Sequence, residues 1–229
     1  METTSLWNDL SGTLWPAFWV TIKLTVFSGI GSLILGIILT AMRVCPIAVL
    51  RTLSSLFITV SRNTPLTLIV LFSSIGLYQN LGLTLAPEDN NFIKNNNFWL
   101  AVLAFIIYTS AFVAESLRAG VNTVPFGQAE AGRSLGLSFS QNFSSIVFPQ
   151  AFRASIVPLG NTLIALSKNT TIASVIGVGE ASLLMKSTIE NHADQLFLVF
   201  GIFALGFIIL TLPLGLLFGW AGKQLAVKR

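Results

Sequence analysis

Residues 15–42 read WPAFWVTIKLTVFSGIGSLILGIILTAM, with Lys23 as the one charge among them. A helix needs roughly 20 mostly apolar residues to cross the hydrocarbon core of a bilayer. This run is long enough, so the chain reads from its first segment as a membrane protein. Four further apolar runs follow, at residues 52–82, 98–118, 153–185 and 196–220. Together they predict an all-α integral membrane fold of about five transmembrane helices in a single transmembrane domain, 1–229. Composition agrees: 53% of residues are hydrophobic and 10% charged, against about 25% charged in soluble domains.

Five spans put the termini on opposite sides. One set of connections carries Arg43, Arg51, Arg118, Arg133, Arg153, Lys223, Lys228 and Arg229. The other carries Glu2, Asp9, Glu88, Asp89, Lys94, Lys186, Glu190 and Asp194. Positive residues collect on the cytoplasmic side, so the N-terminus is expected outside and the C-terminus in the cytoplasm. Trp15, Trp19, Trp99 and Trp220 fall near span ends, where indoles prefer the interface. The net charge of +4 therefore reads as an orientation signal, and no basic–aromatic surface for nucleic acid is present. The first residues, METTSLW, are acidic, so no cleavable signal peptide is expected.

Ser28, Ser32, Gly36 and Thr40 recur every four residues, which sets small residues on one helix face as a packing seam. Gly215 and Gly219 make a shorter seam of the same type. The second span is interrupted by Arg62-Asn63-Thr64-Pro65. Proline is tolerated in the first turn of a helix, so either a partly interfacial or packed helix over Leu50 to Val60 precedes a kink at Pro65, or one kinked helix crosses.

Chemistry is bounded by what is missing. Cys45 and His192 are the only residues of their types, so disulfides and His-based zinc motifs are excluded, and no metal or cofactor is expected in this chain. No GxxxxGK[ST] phosphate loop occurs, nor any nucleophile–base set or carboxylate dyad within the spans. His192 reads as an ordinary loop histidine. Ionisable residues inside spans are costly and call for a reason. Lys168, within Ser167-Lys168-Asn169-Thr170-Thr171, either attracts a carboxylate in a wet cavity or pairs with Glu115 or another subunit. Arg62 either does the same or snorkels to the headgroups. Lys23 is expected to snorkel, Glu115 to bond Arg118 at i,i+3, and Glu180, which follows the Gly177/Gly179 bend, to mark the outer mouth.

The connection 119–150 is too polar to span and too patterned to be slack. Pro125 opens a short helix containing an i,i+3 pair, Glu130 and Arg133. Gly136 suits a left-handed stop. Ser138 or Ser140 caps a second helix, expected to end at Pro149.

Glu130-Ala131-Gly132, Gly136, Ile146 and Phe148-Pro149 resemble, in residue type and spacing, the EAA loop of ABC importer permeases. Gly132 stands where Ala is usual, which loosens the helix by up to roughly 1 kcal/mol, and Phe148 stands where Leu is usual. Arg62-Asn63-Thr64-Pro65-Leu66, Glu115-Ser116-Leu117-Arg118-Ala119-Gly120 and residues 168–178 resemble motifs of the polar amino-acid permeases, the histidine/glutamine type. Residues 16–25 and 161–189 are similar to permeases of bacterial glutamate uptake systems, and that similarity favours glutamate over glutamine, aspartate or basic amino acids. The resemblance implies a type I importer permease in the bacterial plasma membrane. It implies a second, similar but non-identical permease, an extracellular amino-acid-binding protein and two ATPase subunits that use ATP and magnesium. Those subunits would dock on Glu130, Ala131, Gly132, Gly136 and Leu137. Arg62, Thr64, Glu115, Lys168, Asn169 and Thr170 are the candidate substrate-pathway residues. A secondary transporter is the competing reading, weakened by the absence of internal repeat symmetry.

Overall fold

Apolar length sets the helices, and proline and glycine set where they stop. The computed structural model of the chain describes residues 2–225, with side chains from Leu6 onward. Lys228 and Arg229, and the side chain of Glu2, lie outside the described residues. The described residues are helical or loop, without strands. Helices α1 (Glu2–Ser11), α2 (Leu14–Val44), α3 (Ala48–Asn63), α4 (Leu66–Leu71) and α5 (Phe92–Val121) come first, with a π-helical segment, Phe72–Asn80, continuing α4. Then come α6 (Phe126–Ser134), α7 (Phe139–Asn142), a π-helical segment at Phe143–Val147, and α8 (Phe148–Ala154). Helix α9 (Ile156–Asn169) runs into a 3-10 segment, Thr170–Ile176, before α10 (Ala181–Asn191) and α11 (Leu196–Leu225).

Three stretches, α2, α5 and residues 193–225, are long and apolar enough to cross a membrane, and two broken helix pairs raise the count to five if each is one span. The last stretch buries only 11% of its most apolar window. So much exposed apolar surface needs lipid or a partner to cover it.

The chain forms two compact units. One contains residues 1–29, 65–105 and 165–213; the other contains 30–64, 106–164 and 214–229. In the first unit, Leu6 and Leu10 of α1 are buried against Phe18, Ala181, Val199 and Phe203. His192 Nε2 lies 2.9 Å from Asp9 Oδ2. The lone histidine, read from sequence as an ordinary loop residue, thus anchors α1. That helix was not expected, because ten mostly polar residues do not hold a helix without docking. Lys23 stands 5.8 Å over the Phe98 ring.

In the second unit the Gly36–Thr40 part of the α2 ladder is a seam against α5. A Cβ on Gly36 would overlap the Val113 side chain and approach Ser110 O to 3.2 Å. Thr40 Oγ1 donates to Gly36 O at 2.8 Å and reaches Ala114 O at 3.3 Å. Leu39, Ile58, Ala111 and Ala114 close the core beside it. Among the described residues the Gly215/Gly219 pair makes no close seam: a Cβ on Gly219 would meet nothing within 4 Å and one on Gly215 only Ile164 Cδ1 at 3.6 Å, whereas Gly160 and Gly222 face Phe218 and Val157.

Helix α3 ends where proline forbids its continuation. Thr64 is extended (φ −91°, ψ 130°), as the residue before proline prefers. Its N–H and hydroxyl both return to Val60 O. The helix breaks there, so α3 and α4 are separate helices rather than one kinked helix. The fourth expected run is also interrupted: regular α-helix gives way at Thr170, and Gly177 takes a left-handed φ of 78°.

Candidate functional site

Three local arrangements carry the chemistry. The first is the hairpin of α6, α7 and the helical turns after them. Gly136 sits at φ 81°, where an L side chain is strained. Leu137 N–H donates to Gly132 O at 3.2 Å and Gly136 N–H to Arg133 O at 2.9 Å, the paired bonds of a Schellman stop. Of the two candidate caps it is Ser138 that forms a capping box, with Gln141. The second helix does not end at Pro149. A π-helical register over Phe143–Val147 leads into α8, and Pro149 occupies its first turn, where a missing N–H is harmless.

Gly132 is the buried point of the hairpin. A Cβ there would meet Ile146 Cδ1 at 2.8 Å and Asn142 Oδ1 at 2.9 Å. Asn142 Nδ2 donates to Ala129 O at 2.7 Å, and Gln150 Nε2 to Gln128 Oε1 at 2.6 Å. Glycine at 132 therefore permits close crossing, where sequence reasoning saw only a weakened helix. Glu130 and Ala131 face solvent, Gly136 is exposed and Leu137 is half-buried. Among the described residues Glu130 and Arg133 form no ion pair; Glu130 O instead accepts from Ser134 Oγ at 3.0 Å. Phe126 and Leu135 are 84% and 83% exposed at the two ends of α6. Sequence reasoning missed these two apolar side chains, although Pro125 and Gly136 beside them marked the helix ends.

The second arrangement is a cavity of about 310 Å³ in the first unit. Ser74, Ile75, Tyr78 and Gln79 of the π-helical segment line it, with Leu71, Ile93, Asn97, Val175 and Ile176. Asn97 Nδ2 donates to Ile176 O at 2.8 Å, tying α5 to the 3-10 segment. Its lining mixes five apolar residues with the polar Ser74, Tyr78, Gln79 and Asn97, and none is charged. None of the six sequence candidates for the pathway lines it. Thr170 is buried and donates to Ser167 O at 2.8 Å, at the start of the 3-10 segment that ends on the cavity. Asn169 is half-buried beside it. Lys168 is exposed, without an ion pair among the described residues.

The third arrangement lies in the second unit. Arg43 Nη1 donates to Glu115 Oε1. Arg62 Nη1 is 3.7 Å from the same oxygen, and Arg118 Nη1 is 4.0 Å from Oε2. The i,i+3 partner expected from sequence is thus the loosest of three. Thr64 lies half-buried at the end of α3, two residues beyond Arg62.

The helices and this hairpin define a membrane permease of the type I ABC importer fold. The chain belongs to the family of binding-protein-dependent transport system inner membrane components, which matches residues 32–227. It is 70% identical over 227 residues to the glutamate transport system permease protein GluC of Corynebacterium efficiens, covering 99% of this chain and 100% of that one. The GluC protein of Corynebacterium glutamicum gives the same identity and coverage. Among solved structures, an amino acid ABC transporter crystallised with histidines superposes with a TM-score of 0.78 at 28% identity, covering 93% of this chain and 94% of that one. The MetNI methionine ABC transporter shares the fold, with a TM-score of 0.73 at 16% identity over 95% and 98% of the two chains. The chain is a permease subunit of an ABC importer and a multi-pass membrane protein.

Proposed function

We propose that the chain is one permease subunit of an ATP-driven glutamate importer, alternating between outward and inward access. The observation that carries the coupling is the α6–α7 hairpin. It is locked by Gly136, the Ser138 cap and the Gly132 crossing, and it offers Glu130, Ala131, Phe126 and Leu135 outward. Glu130, Ala131, Gly136 and Leu137, with Gly132 holding the crossing beneath them, form the segment that seats on one of two separate ATPase subunits. ATP and magnesium are bound there, since this sequence has no phosphate loop of its own. A similar, non-identical permease completes the pathway, and an extracellular binding protein delivers the substrate. The N-terminus lies outside and the hairpin in the cytoplasm of a bacterial cell, as the arginines at 43, 118, 133 and 153 favour.

The cavity is at the small end of ligand sites, which start near 300 Å³. Ser74, Tyr78, Gln79 and Asn97 offer donors and acceptors to an α-amino acid, and Lys168-Asn169-Thr170 lead into its 3-10 wall. The 70% identity to two glutamate permeases supports the substrate. With no cation in the lining, discrimination of glutamate from glutamine falls to the binding protein.

The test is uptake of labelled glutamate into proteoliposomes holding the co-purified complex and binding protein. Uptake should need ATP inside or outside according to orientation and should exceed that of glutamine and aspartate. Equal uptake of all three overturns the substrate. Uptake by this chain alone, without ATP, overturns the importer reading in favour of a secondary transporter.

A further inference from the structure

We propose that Arg62 and Arg118, organised by the Arg43–Glu115 pair, form an oxyanion site for a carboxylate or phosphate group. One carboxylate faces three guanidiniums here, leaving a surplus of positive charge. Only Arg43 donates a hydrogen bond to it. At 3.7 and 4.0 Å, Arg62 and Arg118 stand beyond hydrogen-bond reach. Neither has another hydrogen-bond partner among the described residues. Each guanidinium carries five donors, while a carboxylate accepts about four bonds in all. Glu115 cannot satisfy the cluster.

The Arg62 fork is held in place. The Arg62 guanidinium lies 5.6 Å over the Phe112 ring, which also packs on Tyr108 at 5.0 Å. The Arg62 and Arg118 side chains are 45% and 44% exposed, against 19% for Arg43, so a ligand can reach them. A planar fork suits the two oxygens of a carboxylate or phosphate. An anion there removes the repulsion between guanidiniums that Glu115 leaves uncompensated.

Depth narrows the source. Arg43 and Arg118 stand in the last turns of α2 and α5, which are long and apolar enough to span a bilayer. Span ends lie at headgroup level, where basic residues meet the phosphodiesters of anionic lipids. The carboxylate of a free acidic amino acid has the same chemistry. The site stands on the ion geometry alone and survives if the glutamate reading fails.

The experiment uses the whole purified complex in phosphatidylcholine nanodiscs, with wild type, Arg118→Gln and Arg118→Lys compared. Phosphatidylglycerol retention is read by native mass spectrometry; free glutamate, glutamine and inorganic phosphate are titrated by calorimetry. Arg118→Gln should weaken binding of the occupant about tenfold or more, as loss of a charge-assisted bond implies. Arg118→Lys should fall between, since it keeps charge and loses the fork. A difference confined to phosphatidylglycerol identifies the lipid headgroup. A difference confined to glutamate, absent for glutamine, identifies the free acid. Equal binding of phosphatidylglycerol, glutamate and phosphate by wild type and Arg118→Gln overturns the site. Should Arg118→Gln not assemble, wild-type affinity of Arg118→Lys for all three overturns it instead.

Discussion

Replacing Gly132 by alanine and by valine tests how the coupling hairpin is held. Two effects oppose each other. Removing glycine from the interior of a helix gains up to about 1 kcal/mol. Against that, the new Cβ meets Ile146 Cδ1 at 2.8 Å and Asn142 Oδ1 at 2.9 Å. The isoleucine methyl is a flexible tip and can swing aside. Asn142 cannot move freely, because it is buried and its amide donates to Ala129 O at 2.7 Å. Breaking that bond costs about 1 kcal/mol, with about 1–3 kcal/mol more if the buried amide then finds no partner. Alanine should therefore lie within about 1 kcal/mol of wild type. Valine adds two methyls at the same point and is stiff at χ1; overpacking of this kind costs about 1–3 kcal/mol. The assay is hydrogen exchange of the amides of residues 126–147 in the assembled complex, with ATP-driven uptake beside it. Valine should speed exchange across both arms of the hairpin and lower uptake, while alanine leaves both near wild type. Protection and uptake unchanged in the valine variant would show that the hairpin is not held at this crossing.

Other outcomes follow from the same geometry. Glu130→Lys and Gly136→Trp should end co-purification of the ATPase, the first by reversing charge on the exposed face and the second by placing a side chain at φ 81°; intact docking refutes the coupling role. Asn97→Leu removes the bond to Ile176 O and a donor from the cavity. It should raise the KM for uptake about tenfold, as loss of a bond to a charged group predicts; an unchanged KM places the substrate elsewhere. Glu180 is buried and caps α10, accepting from Ser182 N–H at 2.7 Å and Leu183 N–H at 2.9 Å. Glu180→Ala should cost about 1–2 kcal/mol of stability, read as a lower melting temperature, and Glu180→Gln clearly less; equal melting for the two removes capping as its role.

Local signals were legible from the sequence, and long-range ones were not. The break before Pro65, the stop at Gly136 and the cap at Ser138 each rest on one residue's backbone preference. The serine–glycine ladder of α2 was readable because helical spacing alone puts it on one face. Glu115 shows the limit. Its nearest neighbour in sequence is Arg118, yet its hydrogen-bond donor is Arg43, 72 residues away, and only the pairing of α2 with α5 brings it there. The cavity was hidden for a related reason. Residues 71–80, LFSSIGLYQN, read as ordinary helix, and nothing in their spacing announces a π register. Asn97 passed as one of three adjacent asparagines until its bond to Ile176 O singled it out. Helix α1 depends on Leu6 and Leu10 finding Phe203 and Val199, residues almost two hundred positions on.

The irregular backbone itself bears on where the substrate passes. In lipid every N–H and C=O must be paired internally, so departures from α geometry persist only where protein or water can satisfy them. Besides the short 3-10 turn Ala193–Gln195, the first unit contains two longer departures, the π-helical segment Phe72–Asn80 and the 3-10 segment Thr170–Ile176. Both contribute to the lining of one cavity. Within these segments the hydroxyls of Ser73 and Ser174 donate to Val70 O and Thr171 O, and at the cavity wall Asn97 donates to Ile176 O. One carbonyl of the 3-10 segment, that of Ile176, thus finds its side-chain donor at the cavity wall. π-Helical turns occur often at functional sites, and here two irregular walls border one uncharged cavity of mixed polar and apolar lining. The cations meet anions elsewhere: Arg43, Arg62 and Arg118 gather around Glu115 at helix ends, where charge is tolerated.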